Sequence, residues 1–422
     1  MYIDGNFFEM NRLIYFLPLL LLLSCDFESE VADRSNAQWQ NIEKDLQTAL
    51  IMANDGDTID IPEGYFKFTK SLLLDEKSNI VFKGAGIDKT ILSFKNQKEG
   101  AEGIKIADCQ NITLLDFTIE DASGDNIKVT DTDGITFKRV KAQWTGKVSE
   151  KNGAYALYPV LCKNVLIENC IAIGSSDAGI YVGQSDSVII RNNEAYQNVA
   201  GIESENSNFV EIYENIAINN TGGILVFDLP GLTQYGEDIK VYKNVVKENN
   251  HRNFAPEGNI VGVVPPGTGI MVLATRNVDI YDNDIIDNRS VGVAVVSYEL
   301  VAAISEEETA EANEEQAGSA QRVNSNYDLD ENYNPFPWGV KIRQNNIRND
   351  KWFATFQHDF GKLFNFKFPF NPPDIVFDGF MAKGKTAKDI LCIDQKDVHF
   401  VYLDAPNDLE NMNENMEEFV CK

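Results

Sequence analysis

A short pattern of apolar and polar positions recurs along the chain. It reads apolar, variable, apolar, variable, variable, Asn, and it returns after 22 or 23 residues where the repeats are tightest. The alternation has a period of two, which predicts short strands with one buried face. The pattern begins at Val188, Val210, Ile239, Val278 and Val340, and its frame continues upstream at Val165, Ile135 and Ile112.

A second apolar segment recurs with the first and begins with Gly followed by Ile or Val. The repeat is too short for a pair of helices and has no helical periodicity, so it fits one rung of a solenoid. Stacked rungs pair every strand with the next rung, and parallel crossovers are right-handed. The sequence therefore predicts an all-β, single-stranded, right-handed parallel β-helix. The second segment begins at Gly179, Gly201, Gly223, Gly269 and Gly292.

The recurring asparagines are predicted to form structural ladders. Asn tolerates the left-handed turn conformation, and its amide can bond the same group one rung further along. Neutral amides do not titrate usefully, so neither catalysis nor metal binding is assigned to them. One corner holds Asn193, Asn215, Asn244, Asn283 and Asn345, and a second holds Asn198, Asn220, Asn249 and Asn288.

The first 25 residues have the features of an export signal. Arg12 precedes an apolar run from Leu13 to Leu23, which is too short to span a bilayer as a helix. The following Ser24-Cys25 completes a sequence that resembles the bacterial lipobox, in which the Cys is lipidated. We therefore expect an exported lipoprotein, periplasmic or on the cell surface, held by its lipid anchor alone. The alternatives are an ordinary signal peptide or a buried apolar segment.

The remaining chain divides into three predicted parts. Residues 26–54 form an N-terminal segment that includes an amphipathic capping helix over 37–54. Residues 55–350 form the β-helix, interrupted at 301–334 by an acidic segment that is expected to be a mobile flap or a solvated loop. Residues 351–422 lose the repeat and are predicted to be an irregular C-terminal cap.

The net charge of the chain limits the classes of molecule that it can bind. The formal net charge is −28, which disfavours nucleic acid and also polyanionic sugars unless a basic patch or divalent cations intervene. The sequence identifies no cofactor and no metal ligands, and calcium stays open.

Cys109, Cys162 and Cys170 are interpreted as small buried hydrophobes. A disulfide between Cys392 and Cys421 is left undecided.

Candidate functional residues lie on the outer face of the Gly-Ile strands, between long loop inserts at Trp144–Asn152 and His251–Pro266. Ile and Val point inward, so the residue between them points outward. Catalytic roles are assigned to Lys128, Tyr158, Tyr181 and Glu203. Substrate binding is assigned to Glu205, Asp228, His251 and Arg252.

Two chemistries fit these side chains. A uronate lyase or epimerase needs a base, an acid and a cation, and Lys128 would lower the pKa of a neighbouring Tyr that serves as the base. A glycoside hydrolase needs two carboxylates, for which Glu203 pairs with Glu205 or Asp228. Two other interpretations remain: the tyrosines form a sugar-stacking platform without catalysis, or the column is ordinary strand surface.

Several strings resemble a family of uncharacterised bacterial right-handed parallel β-helix repeat proteins. They are Tyr158-Pro159, the run from Ser176 to Gln184, the run from Gly222 to Gly231, and the run from Val264 to Gly269. The wider pectate-lyase-like superfamily implies carbohydrate binding, lyases, epimerases and hydrolases. The catalytic strings of its mannuronan epimerases, polygalacturonases and pectate lyases are absent from this sequence, so no catalytic residue is carried over.

Two functions are therefore carried forward. In the first, the protein binds polysaccharide and processes it, which a basic, aromatic cleft would favour. In the second, it is a non-enzymatic scaffold that docks another envelope protein, which an exposed apolar patch at Leu225, Phe227 and Met271 would favour.

Overall fold

The computed structural model describes residues 34, 36–311, 319–327 and 329–421. These residues belong to one compact unit. It is the predicted right-handed parallel β-helix, and its strands lie in a 20-stranded and an 11-stranded sheet.

The 20-stranded sheet carries the Asn corners and is called the Asn sheet. Two strands of nearly every rung belong to it. Its strands are β1 (Trp39–Gln40), β2 (Thr58–Asp60), β3 (Gly64–Lys67), β5 (Val81–Lys83), β6 (Thr90–Ser93), β8 (Gln110–Glu120), β10 (Asp133–Gln143), β12 (Lys163–Glu168), β13 (Ile171–Ile173), β15 (Asp186–Arg191), β16 (Glu194–Tyr196), β18 (Asn208–Tyr213), β19 (Ile216–Ile218), β21 (Glu237–Tyr242), β22 (Val245–Lys247), β24 (Arg276–Tyr281), β25 (Asp284–Ile286), β27 (Val340–Arg343), β28 (Asn346–Arg348) and β30 (Leu391–Asp394).

The 11-stranded sheet contains the Gly-Ile segments and is called the Gly-Ile sheet. It contributes one strand to each rung. Its strands are β4 (Lys70–Asp75), β7 (Glu99–Ala107), β9 (Ile127–Thr130), β11 (Tyr155–Val160), β14 (Ala178–Gly183), β17 (Ala200–Glu205), β20 (Gly222–Phe227), β23 (Thr268–Leu273), β26 (Val291–Val296), β29 (Ile375–Phe377) and β31 (Phe400–Tyr402).

Register between rungs follows the sequence repeat. Val188 lies opposite Val210 in the Asn sheet, and Ile202 lies opposite Ile224 in the Gly-Ile sheet. The residues aligned by the repeat are therefore neighbours along the solenoid axis. Their apolar side chains fill one continuous interior core that runs from Leu46 at the N-terminal end to Phe419 at the other.

Both predicted asparagine ladders are confirmed. The amide Oδ1 of Asn215 accepts bonds from the backbone N and the Nδ2 of Asn193, each at 3.0 Å. Asn215 in turn donates to Asn244 through the same pair of atoms. The first ladder continues through Asn283 to Asn345, whose backbone N donates to Gln395 and so ends the ladder at the C-terminal side.

The N-terminal cap is shorter than predicted. Helix α1 covers Glu43–Met52 and buries Leu46 and Leu50 against the first rung. Trp39 was expected in the helix, but it lies in strand β1 and pairs with Tyr65. A parallel partner strand satisfies the backbone at this position, so the chain becomes helical only from Glu43.

The β-helix continues beyond its predicted end at residue 350. Strand β30 pairs with β27, and β29 and β31 extend the Gly-Ile sheet. The predicted boundary is wrong because the segments between these strands hide the repeat spacing. Helices α4 (Asp359–Lys367) and α5 (Ala387–Ile390) lie within this C-terminal region.

The acidic insert also differs from the expected loop. It contains helix α2 (Tyr298–Glu311) and helix α3 (Ser319–Tyr327). Tyr298, Val301 and Ala302 are buried against the outer face of the Gly-Ile sheet. Their helical spacing places them on one face, and that face holds the insert on the sheet although the segment as a whole is acidic.

Cysteines and termini complete the fold. Cys109, Cys162 and Cys170 are free and buried as predicted, and Cys392 is bonded to Cys421. Cys25 and the predicted leader lie outside the described residues. In the described part of the chain, no helix is both long enough and apolar enough to cross a membrane.

Substituting a central ladder residue tests the ladder's contribution. Asn215→Ala leaves the Oδ1 of Asn244, the carbonyl of Ile190 and the donors of Asn193 without these bonds. We expect the free energy of unfolding to fall by about 2–3 kcal/mol in urea denaturation, because buried polar groups lose their partners. Asn346→Ala, which removes an exposed bond to Asp284, should change it by about 0.5 kcal/mol or less. If the two substitutions lower the free energy of unfolding equally, the ladder bonds do not contribute to stability as expected.

Candidate functional site

The candidate column is present in the predicted order but is covered. Lys128 lies opposite Tyr158, and Glu203 lies between Tyr181 and Leu225. Tyr181 is 3% exposed and Glu203 is 1% exposed. Loops and helices α2 and α4 form a second apolar core against this face of the sheet, with Tyr155 and Tyr158 half-buried at its edge. Tyr181 and Glu203 therefore titrate in a low-dielectric environment.

Three tyrosines form the centre of the site. Their ring centroids are 4.3 Å apart for Tyr155 and Tyr158, 4.6 Å for Tyr155 and Tyr181, and 4.9 Å for Tyr158 and Tyr181. The Nζ of Lys128 lies 4.8 Å from the centroid of the Tyr158 ring, within the range of a cation–π contact.

Two of the three tyrosine hydroxyls donate hydrogen bonds to carboxyl groups. The Tyr181 hydroxyl donates to Glu205 Oε1 at 2.6 Å, and the Tyr155 hydroxyl donates to Asp177 Oδ2 at 3.2 Å. Gly183 makes room for the first bond, since a Cβ at this position would lie 2.3 Å from the Tyr181 hydroxyl. The glycine therefore lets Tyr181 lean along its strand towards Glu205.

These carboxyls resist ionisation. Burial raises the pKa of Glu205 to about 7, although the Tyr181 bond opposes this shift. Burial and then the charge of Glu205 raise the pKa of Asp177 to about 8. Burial, Asp177 and Glu205 raise the pKa of Glu203 well above its ordinary value. Because the three groups repel one another when charged, they share protons at neutral pH.

Two oxygens of the cluster have no protein partner. Oδ1 of Asp177 and Oε2 of Glu203 are buried without a hydrogen bond in the described part of the chain. Buried polar atoms are normally paired, so these oxygens are available to a proton or to a bound ligand.

The tyrosines do not have the lowered pKa that a catalytic base requires. Burial is the largest cause that raises the pKa of Tyr155, Tyr158 and Tyr181, and neighbouring carboxyls raise it further. The net shift of the phenol pKa is therefore upward, opposite to the lowering expected from Lys128. At neutral pH the phenols act as hydrogen-bond donors.

The loop candidates make no described hydrogen bond or ring contact with the cluster, although the charge of Glu205 is among the causes that raise the pKa of Asp228. Asp228 is buried, accepts a bond from the Gly236 backbone, and has its pKa raised to about 8, chiefly by burial. The ring of His251 contacts Phe254 and its Nδ1 bonds the carbonyl of Arg252, whose side chain is exposed. Among the predicted binding residues, Glu205 alone has a described hydrogen bond to one of the three clustered tyrosines, whereas the backbone carbonyl of Asp228 accepts a bond from Tyr333.

Three residues of the site were not singled out from the sequence. Asp177 and Asp125 each precede a Gly-Ile strand, and Tyr155 begins one, so none lies in the alternating column. Asp125 accepts a bond from the Tyr155 backbone, and burial raises its pKa to about 6. The signal available in the sequence was the acidic residue ahead of strands β9 and β14.

The apolar patch expected of a docking scaffold is not exposed. Leu225, Phe227 and Met271 are buried beneath the chain's own inserts. A small cavity of about 60 Å³ remains next to Met271 and Phe227. The outer face of the sheet is thus occupied by this chain itself.

Calcium was left open from the sequence. Over the residues that the structure describes, no group of three or more His, Cys, Asp or Glu side chains is placed to hold a metal ion.

Solved structures of other proteins resemble the chain at low identity. The AlgE6 A-module of the Azotobacter vinelandii mannuronan C-5 epimerase has a TM-score of 0.48 at 13% identity, over 86% of this chain and 90% of that one. The AlgE4 A-module from the same organism has a TM-score of 0.46 at 15% identity, over 81% and 91%. An alginate lyase from Paenibacillus sp. str. FPU-7 has a TM-score of 0.38 at 14% identity, over 61% and 91%. At these identities the likeness does not extend to activity.

Sequence comparison matches part of the chain to a family model. No curated protein matches the chain. Residues 72–233 match the family model described as a right handed beta helix region. This match and the parallel sheets agree on the fold of the chain, which is a right-handed parallel β-helix.

Proposed function

We propose that the protein binds a neutral polysaccharide at the tyrosine cluster and cleaves its glycosidic bonds by acid–base chemistry. One observation carries the proposal: Glu205 has a pKa of about 7 and is bonded to Tyr181 beside two other tyrosines. A carboxyl with a pKa near neutral can both donate and accept a proton at the working pH.

The tyrosines supply the binding surface. Tyr155 and Tyr158 are half-buried at the edge of the second core, so both residues remain partly accessible. Aromatic rings with a hydroxyl combine an apolar face with a polar edge, which suits the mixed surface of a sugar ring. Lys128 lies over Tyr158 and adds a hydrogen-bond donor at this edge.

The carboxyls divide the chemical work. Glu205 keeps 9% of its surface exposed and Glu203 keeps 1%, so Glu205 is the group that meets the substrate. Its protonated form donates to the glycosidic oxygen as the bond from that oxygen to the anomeric carbon breaks. Water then adds to the anomeric carbon and gives a proton back to Glu205, which the first transfer has left as a carboxylate, while Asp177 stays protonated beside it. Glu203 is a positioning residue that keeps a proton within the cluster.

The charges favour a neutral glycan over a uronate. A lyase or an epimerase needs a cation to neutralise the substrate carboxylate. Lys128 is the cation at the cluster, but Asp125, Asp177, Glu203 and Glu205 surround the tyrosines. At neutral pH Asp125 is largely ionised and Glu205 is ionised in part, so an anionic sugar would meet negative charge there.

Export as a lipoprotein remains part of the proposal. It is supported by the apolar run from Leu13 to Leu23 followed by Ser24-Cys25. A polysaccharide-cleaving protein would then meet its substrate outside the cytoplasm. The polysaccharide and export proposals fail independently, because one rests on the tyrosine cluster and the other on the leader.

Substitutions that leave the carboxyl shape intact test the assignment. Glu205→Gln should lower the release of reducing ends from neutral polysaccharides by about 10²–10⁴-fold, because it removes the transferable proton. Tyr181→Phe should instead shift the pH–rate profile to higher pH, since the lost bond holds the pKa of Glu205 down. Glu211→Gln changes an exposed carboxyl on the Asn sheet that pairs with Lys240 and serves as the matched control.

Binding is measured separately on the same panel of glycans. Tyr155→Ala/Tyr158→Ala should reduce binding, whereas Glu205→Gln should retain it. If no neutral glycan is bound by the folded protein, the polysaccharide proposal is wrong. If glycans are bound but no substitution of Glu205 changes their cleavage, the catalytic assignment is wrong.

The buried carboxyls also predict how stability depends on pH. Their ordinary pKa is about 4, and folding raises it to about 7 for Glu205 and about 8 for Asp177. Between these values the folded chain binds more protons than the unfolded chain, so the free energy of unfolding falls as pH rises. Thermal melts should therefore show a melting temperature that decreases from about pH 5 to pH 8.

Glu203→Gln should make this decline shallower, because it removes one of the coupled groups. Asp228 has a similarly raised pKa, so the melting temperature of this variant should still decline in part as the pH rises. Glu211→Gln again serves as the control and should leave the slope unchanged. A melting temperature that rises steadily over this range would contradict burial of protonated carboxyls.

Lipidation is tested on the N-terminus of the protein made in a bacterial host. Mass spectrometry should find the mature chain starting at Cys25 with diacylglycerol on its sulfur, and Cys25→Ser should abolish membrane retention through this anchor. An unmodified Cys25 in the exported protein would refute the lipoprotein assignment.

A further inference from the structure

Exposed aromatic side chains are concentrated near the C-terminal end of the β-helix. The exposed fraction is 71% for Trp352, 60% for Phe356 and 63% for Phe370. Ring contacts join them: Phe370 lies 5.2 Å from Phe353 and 6.4 Å from Trp352, and Phe353 lies 6.2 Å from Phe356. These four residues are called the aromatic patch.

Helix α4 carries a further exposed ring. Phe364 on this helix is buried in the second core and anchors it. Phe366, two residues later, is 81% exposed. The fold therefore uses one face of α4, and the ring on the other face makes no contribution to the core. Soluble proteins rarely expose so many large apolar side chains together unless a partner covers them.

The charge around the patch differs from that of the chain. Residues 348–370 contain four basic and two acidic side chains, whereas the whole chain has a net charge of −28. Lys351 precedes Trp352 directly, and Lys367 follows Phe366 directly. Long basic side chains next to aromatic rings are typical of surfaces that lie in a membrane interface, where the rings enter the lipid and the charges remain at the headgroups.

We propose that the aromatic patch and Phe366 dock this end of the β-helix onto a phospholipid bilayer. A second copy of the chain is a poorer partner, because a symmetric contact would bring two positively charged patches together. Anionic headgroups complement Lys351 and Lys367. This contact is independent of the tyrosine cluster and of an anchor on Cys25, which lies at the other end of the sequence.

The test uses a chain that begins at residue 26, so that no lipid can be attached. It retains every described residue of the compact unit. The chain is mixed with vesicles of phosphatidylcholine, with and without phosphatidylglycerol, and sedimented. We expect it to bind both kinds of vesicle, and to bind the anionic ones more tightly at low salt.

Trp352 reports the depth of contact. Its emission should shift to shorter wavelength on binding and be quenched by brominated phosphatidylcholine. Trp352→Phe should lose this signal and still sediment with the vesicles. Phe353→Ser/Phe370→Ser should lower partitioning by about tenfold or more, because each buried ring supplies at least that much binding.

Two further variants separate a loss of membrane docking from a loss of folding. Phe366→Ser removes a ring that makes no contribution to the core, so it tests docking without a risk to folding. Phe209→Ser is the matched control, since Phe209 is 55% exposed on the Asn sheet and has a left-handed backbone like that of Phe370. Phe366→Ser should weaken vesicle binding and Phe209→Ser should leave it unchanged.

Three results would overturn the proposal. The first is no association of the wild-type chain with either vesicle. The second is equal association of the wild-type chain and the patch variants. The third is self-association in sedimentation velocity that the patch substitutions abolish, which would assign the patch to a second copy of the chain.

Discussion

Parallel pairing in a register that nearly every rung keeps is the constraint on which this structure depends; the β4–β7 pair shifts once, between Lys70 and Leu72. Each rung lies about 4.8 Å above the previous one, so a side chain has the same neighbour position in every rung. Only residues that bond or pack with copies of themselves are stable in a buried column. Asn satisfies this condition at the corners, because one amide accepts from the rung before and donates to the rung after, as Asn215 does. The interior satisfies it with Val and Ile.

The same constraint explains the electrostatics of the candidate site. Ladders of equivalent residues are tolerable for neutral groups, but stacked carboxyls repel one another. Glu203 and Glu205 share a strand, and Asp177 approaches from the rung before. Once the inserts cover this face, water no longer screens the charges, and protonation is the remaining way to lower the energy. A group such as Glu205 then acquires a pKa near neutral from its position alone.

Much of the interior and little of the exterior could be predicted from the sequence. The repeat predicts the length of a rung and the Asn columns, because both follow from period and register. The order of the outward column follows in the same way: Lys128, Tyr158, Tyr181 and Glu203. Asp177 could not be found this way, since it lies before its strand and reaches the cluster by its side chain. The burial of the column was also missed. It depends on inserts such as α2, whose packing face is a few residues within an acidic segment.

Inserts therefore determine what each face of the solenoid can do. On the Gly-Ile sheet they bury Leu225 and Met271, the patch expected of a docking scaffold, and leave Tyr155 and Tyr158 partly accessible at an edge. Near the C-terminus the insert that contains α4 buries Phe364 but leaves Phe366 in solvent. An insert that served only to close the β-helix would place its large rings inward. The outward rings beside lysines are therefore better explained by an apolar partner than by folding.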